Sequence, residues 1–161
     1  MNASSLHDIK KELGHLDKEI LLSLVLRLAR YKKENKELLS YLLFEAHNES
    51  GFIQALKDEI DSQMKEVSKS NMYLTKKALR KVIRFIDRFI KYSGLKETEA
   101  EVRIHFCKVM QEKGFHISRM RVIENMYQGQ LKKINSSISK LDEDLQFDLG
   151  VELQKLKPET F

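Results

Sequence analysis

Pro158 is the only proline of this chain, so 157 consecutive residues run without the side chain that interrupts both helices and central strands. Glycine, the next strongest interruption, occurs six times, always singly. Between these few breaks the apolar residues recur at helical spacing. Leu6, Ile9 and Leu13 lie three and four apart, and Phe52, Ile53, Leu56, Ile60, Met64 and Val67 form one stripe. No alternating run competes, so the expected fold is all-α, with about eight helices.

These helices are expected over residues 5–13, 17–31, 34–46, 52–67, 72–92, 98–114, 118–134 and 142–156. Gly14 and the Asn48-Glu49-Ser50-Gly51 cluster mark stops, Thr98 with Glu101 reads as a capping box, and Pro158 ends the last helix. Leucines surround the whole circumference of 17–31, which predicts that this helix is the central, most enclosed one. Short connections imply antiparallel hairpins, arranged as a compact multi-helix bundle or a short right-handed solenoid of helix pairs. A solenoid would have to be degenerate, because no side-chain pattern repeats at 34 to 47 residues. Residues 1–156 read as a single domain and 157–161 as a loose tail.

One cysteine, Cys107, allows no internal disulfide and suits a reducing compartment. The longest apolar stretch, 20–29, is about half of what a bilayer crossing needs, and no leader is readable before it. A cytoplasmic location is the expectation.

The opening Leu6-x-x-Ile9-Lys10-Lys11-Glu12-Leu13-x-x-Leu16-Asp17-Lys18-Glu19-Ile20-Leu21-x-x-Leu24 resembles the start of a family of uncharacterised bacterial helical domains. The stretch from Lys76-Lys77-Ala78 to Phe85, followed by Ala100-Glu101-Val102, resembles the same family. The resemblance implies a helical fold and carries over no active residues.

Catalytic and cofactor motifs are sparse. The isolated glycines build no phosphate-cradling loop, and no serine stands in a nucleophile elbow. His105 lies two residues from Cys107, about 200° around a helix, which sets the two on opposite faces and reads Cys107 as a small buried thiol. Glu12-x-x-His15 is a lone pair with metal-ligand spacing, and Glu101 with His105 reads as an i, i+4 hydrogen bond, so no metal or cofactor is expected. The acids Asp142, Glu143 and Asp144 read as a helix start. His7, His47 and His116 fall on separate elements.

Charge is concentrated in one place. Residues 71–93 carry seven Lys and Arg against a single acid, a net +6 in a chain whose total is +5. On a helical wheel Lys76, Lys77, Arg80, Lys81, Arg84, Arg88 and Lys91 share an arc of about 140°, with Asp87 the only acid among them. Like charges at this spacing cost tenths of a kcal/mol each, so a partner is expected to offset them. Carboxylates of neighbouring helices, nucleic-acid phosphates, and an anionic membrane surface or acidic protein are the three candidates. The aromatic residues fall on the opposite, buried arc, which disfavours base-specific reading of single strands. The sequence therefore predicts a non-enzymatic, macromolecular (protein) interaction module. Weak, sequence-independent nucleic-acid or other polyanion binding through 72–92 is one alternative, and an enzyme whose site is assembled from distant residues is another.

Overall fold

A computed structural model describes residues 2–115 and 120–157. The described residues form eight α-helices and no strand, and 81% of them are helical. The helices are α1 (Leu6–Leu13), α2 (Lys18–Tyr31), α3 (Lys33–Ser40), α4 (Glu49–Lys65), α5 (Met72–Ser93), α6 (Lys96–Glu112), α7 (Arg121–Ile138) and α8 (Glu143–Leu156); a π-helical turn, Tyr41–Glu45, prolongs α3. The expected opening of the seventh helix at Ser118, together with His116, and the stop at Pro158 with residues 158–161 of the tail lie outside the described residues. No helix among the described residues is long and apolar enough to cross a membrane.

Local chemistry explains most of the boundaries. Ser5, Asn48, Asn71 and Asp142 each accept a backbone N–H in the first turn of the helix that follows. α4 consequently starts inside the expected turn cluster, because Asn48 caps it and Gly51 sits in its first turn. α5 ends at Gly94, whose φ of 71° is the left-handed conformation that glycine adopts readily at a helix end, whereas Gly14 caps α1 in the right-handed region with φ −65°. The capping box at Thr98 does not form. α6 begins at Lys96, and Thr98 lies within its first turn and donates its hydroxyl hydrogen to Glu49. α7 runs unbroken through Gly129.

The chain divides into two compact units, residues 1–44 and 45–161. In the first, α2 and α3 form a hairpin joined by the single extended residue Lys32, and Asn35 Nδ2 donates to the Leu28 carbonyl at 2.7 Å across the turn. α2 is not the enclosed helix its leucines suggested. None of its residues is buried, and Leu22 and Leu26 are 57% and 41% exposed.

The enclosed helix is α6, in the second unit. It packs against α4, α5, α7 and α8, and it buries Ala100, Val102, Ile104, Phe106, Cys107 and Met110 around its circumference. Three of its polar residues meet partners at the same separation along the chain. Lys57 pairs with Glu101 at 2.8 Å, Asp61 with His105 at 2.7 Å and Lys108 with Glu152, each pair 44 residues apart. Because the partners advance together, α4, α6 and α8 run parallel as one layer. The helices between them, α5 and α7, are linked by Lys133 Nζ to Asp87 at 3.1 Å, a step of 46 residues. Two Lys–Glu pairs and one His–Asp pair thus hold α4, α6 and α8 side by side in a compact helical bundle.

The seams are closed by buried polar links. Tyr127 donates its hydroxyl hydrogen to the Leu156 carbonyl at the end of α8, and burial pushes its phenol up, out of the ordinary range. Arg103, only 3% exposed, donates to Glu99 at 3.2 Å, Gln130 at 2.8 Å and Asp87 at 2.7 Å, tying α5, α6 and α7 together.

Candidate polyanion-binding face

α5 is positioned by its apolar side. Leu79, Val82, Ile86 and Ile90 are buried, and the Thr75 hydroxyl donates to the carbonyls of Ser68 and Asn71, which fastens the start of the helix to the preceding loop. Asn71 Oδ1 accepts from the amides of Tyr73 and Leu74 at 3.0 and 3.2 Å. With this side fixed, the cationic arc has to point away from the core.

Lys77, Arg80, Lys81, Arg84 and Lys91 are exposed, and Lys76 is half-buried. Among the described residues none of these six makes an ion pair. The seventh, Arg88, is half-buried and lies over the Phe89 ring at 5.2 Å from its centroid. Asp87, the only acid among the residues of the arc, sits at its edge and is drawn to Arg103 of α6 and Lys133 of α7.

No carboxylate of a neighbouring helix forms an ion pair with these six cations among the described residues, and several of those carboxylates are engaged by other groups. Asp61 bonds to His105, Asp58 accepts from Gln54 and Glu59 from Gln63. Glu152 accepts from Lys108 and Lys155, which hold its carboxyl down at about 2. Burial pushes the Glu99 carboxyl up, but hydrogen bonds from Lys96 and Ser137 and the Arg103 charge more than offset this and leave it below the usual range.

Beside the arc lies an open groove of about 380 Å³. Leu74 and Ala78 contribute its apolar surface, Lys77, Lys81 and Arg84 bring three cations to it, and the hydroxyls of Ser68 and Ser70 and the Glu66 carboxylate complete the lining. Phe85, Phe89 and Tyr92 stack on one another at 4.7 and 5.3 Å between centroids; they are half-buried rather than fully enclosed, and they do not interleave with the cations.

The other candidates from the sequence do not converge. Glu101 and His105 each bond to α4, to Lys57 and Asp61, and not to one another. Glu12 and His15 are exposed, as are His7 and His47. No three His, Cys, Asp or Glu side chains among the described residues come together as metal ligands. Cys107 is fully buried, and burial pushes its thiol up to about 12, which suits the inert core thiol expected from its place in the sequence.

No protein-family profile, curated protein or solved structure matches the chain. What can be said of its function therefore rests on the face itself.

Proposed function

We propose that this chain is a helical interaction module that docks on the phosphate backbone of nucleic acid through the outer face of α5. The observation that carries this reading is the set of exposed cations Lys77, Arg80, Lys81, Arg84 and Lys91, which make no ion pair among the described residues, while the one acid of the helix is engaged elsewhere. Lys76 to Lys91 spans about 22 Å at 1.5 Å per residue, which matches about six phosphates of one strand at 3.4 Å each. The aromatic side chains stack on each other instead of standing among the cations, which supports contact with backbone rather than bases.

Fluorescence anisotropy with a labelled duplex tests this directly, using a single strand of equal length and polyglutamate as competitors. If four cations each neutralise one phosphate, the log–log salt slope is about −3.6 and affinity falls about 150-fold between 50 and 200 mM salt. Absence of binding at the lower salt overturns the proposal. Displacement by polyglutamate at matched charge, with no preference for phosphate, would assign the face to an acidic protein instead.

A further inference from the structure

We propose that the α2–α3 hairpin is the subunit interface of a homodimer, in which two hairpins from two copies of this chain close into a four-helix bundle. α1, α2 and α3 contain no buried residue, and Tyr41 in the turn that follows is the one buried side chain among the described residues of this unit. A helix apolar around most of its circumference is stable only when covered, yet Ile20, Leu22, Val25, Leu26 and Leu28 of α2 are all 40% exposed or more.

The hairpin carries both halves of a helix-packing interface. Val25, Leu28, Ala29, Leu38, Leu39 and Leu42 line an apolar groove of about 280 Å³ along the seam between its helices. The one-residue connection at Lys32 and the bond from Asn35 to the Leu28 carbonyl across it fold the two helices back on each other. Alongside the groove, Leu22 and Leu26 stand four residues apart as a ridge. A surface that offers both ridge and groove complements itself across a two-fold axis, as ridges-into-grooves packing and an isologous dimer require.

Area and charge point to the same occupant. From Ile20 to Phe44 the exposed fractions of the large apolar side chains add up to nearly six whole residues. At about 170 Å² each this is on the order of 1,000 Å² per chain, against about 800 Å² per partner in a stable interface. Residues 1–44 hold eight Lys and Arg and six Asp and Glu. This near-neutral surface selects neither an anionic nor a cationic partner, and it lets two copies approach without strong repulsion.

Sedimentation equilibrium of the full chain over about 1 to 200 µM tests the proposal, with Leu22→Glu/Leu26→Glu as the comparison. The expected result is twice the monomer mass for the unaltered chain, and a dimer Kd at least 100-fold higher for the double variant, since two apolar anchors per copy are lost. Far-UV circular dichroism and the melting of the variant show whether its other helices persist. Should the variant fail to fold, dilution of the unaltered chain still decides the matter. A monomer at the highest concentration overturns the proposal, whether or not hydrogen exchange finds α2 protected by some other cover. A dimer of unchanged affinity in the folded double variant overturns it equally.

Discussion

Changing Arg80, Lys81 and Arg84 together to Gln separates binding from folding on α5. All three are exposed and without ion pairs, and Gln has nearly the helix propensity of Arg and Lys, so helix formation itself is unaffected. What changes is repulsion. Lys76–Arg80, Lys77–Arg80, Lys77–Lys81, Arg80–Arg84 and Lys81–Arg84 are like-charged pairs three or four residues apart, each unfavourable by about 0.2 to 0.5 kcal/mol before screening. Removing them should stabilise the second unit by up to about 1 kcal/mol and raise its Tm by a few degrees, since about 4 °C accompanies each kcal/mol in a unit of this size. Binding should move the other way. With one to three of four phosphate contacts left, the salt slope drops to between about −0.9 and −2.7, and the loss of affinity between 50 and 200 mM salt shrinks from about 150-fold to between about 3.5-fold and about 40-fold. Anisotropy titrations at both salt concentrations, paired with thermal melts, give both quantities. A Tm lowered by 4 °C or more would mean that carboxylates hold these side chains in the folded state. An unchanged slope would mean that the phosphates bind elsewhere. Either result refutes the reasoning.

Arg103→Met should cost about 3 kcal/mol, or about 12 °C in Tm, because it withdraws the cation from Asp87, Glu99 and Gln130 at once; this lies at the lower end for a buried pair because Lys133 and Lys96 still serve the two acids. Glu152 titrates at about 2 when folded against an ordinary 4.5, so its contribution is fully present above pH 4.5 and is lost as pH falls towards 2; Glu152→Gln should flatten that acid limb in urea melts taken from pH 5 to 2.5. Cys107, fully buried with its thiol at about 12, should resist a disulfide-exchange reagent at pH 8 in the native protein and react quickly in 6 M guanidinium; fast native reaction would show that α6 opens. The same raised thiol makes folding less favourable as pH climbs from 9 towards 12, where only the unfolded chain has released its proton.

The sequence points to the wrong helix as the central one for a physical reason. Hydropathy ranks α2 first because its side chains are leucines, but hydropathy measures the gain on burial and not whether a neighbour is there to provide it. α6 carries Glu99, Glu101, Arg103, His105 and Lys108 among its apolar residues and so reads as a surface helix. It is enclosed because each of these polar groups finds a partner on α4, α5, α7 or α8, or within α6 itself.

Local rules determined the helical class, the number of helices and most of their ends. The near-absence of proline, the apolar spacing and caps such as Asn71, Gly94 and Asp142 act within a turn or two of chain. The cationic arc of α5 was legible for the same reason, since a face of one helix is fixed by its own 3.6-residue period. Which acids would reach that arc was not legible. Asp87 lies at its edge in sequence and belongs in space to Arg103 and Lys133, 16 and 46 residues away. Ion pairing between helices depends on their packing, and only the tertiary structure decided that the carboxylates turn to α6 and α7, leaving the outer cations of α5 in water.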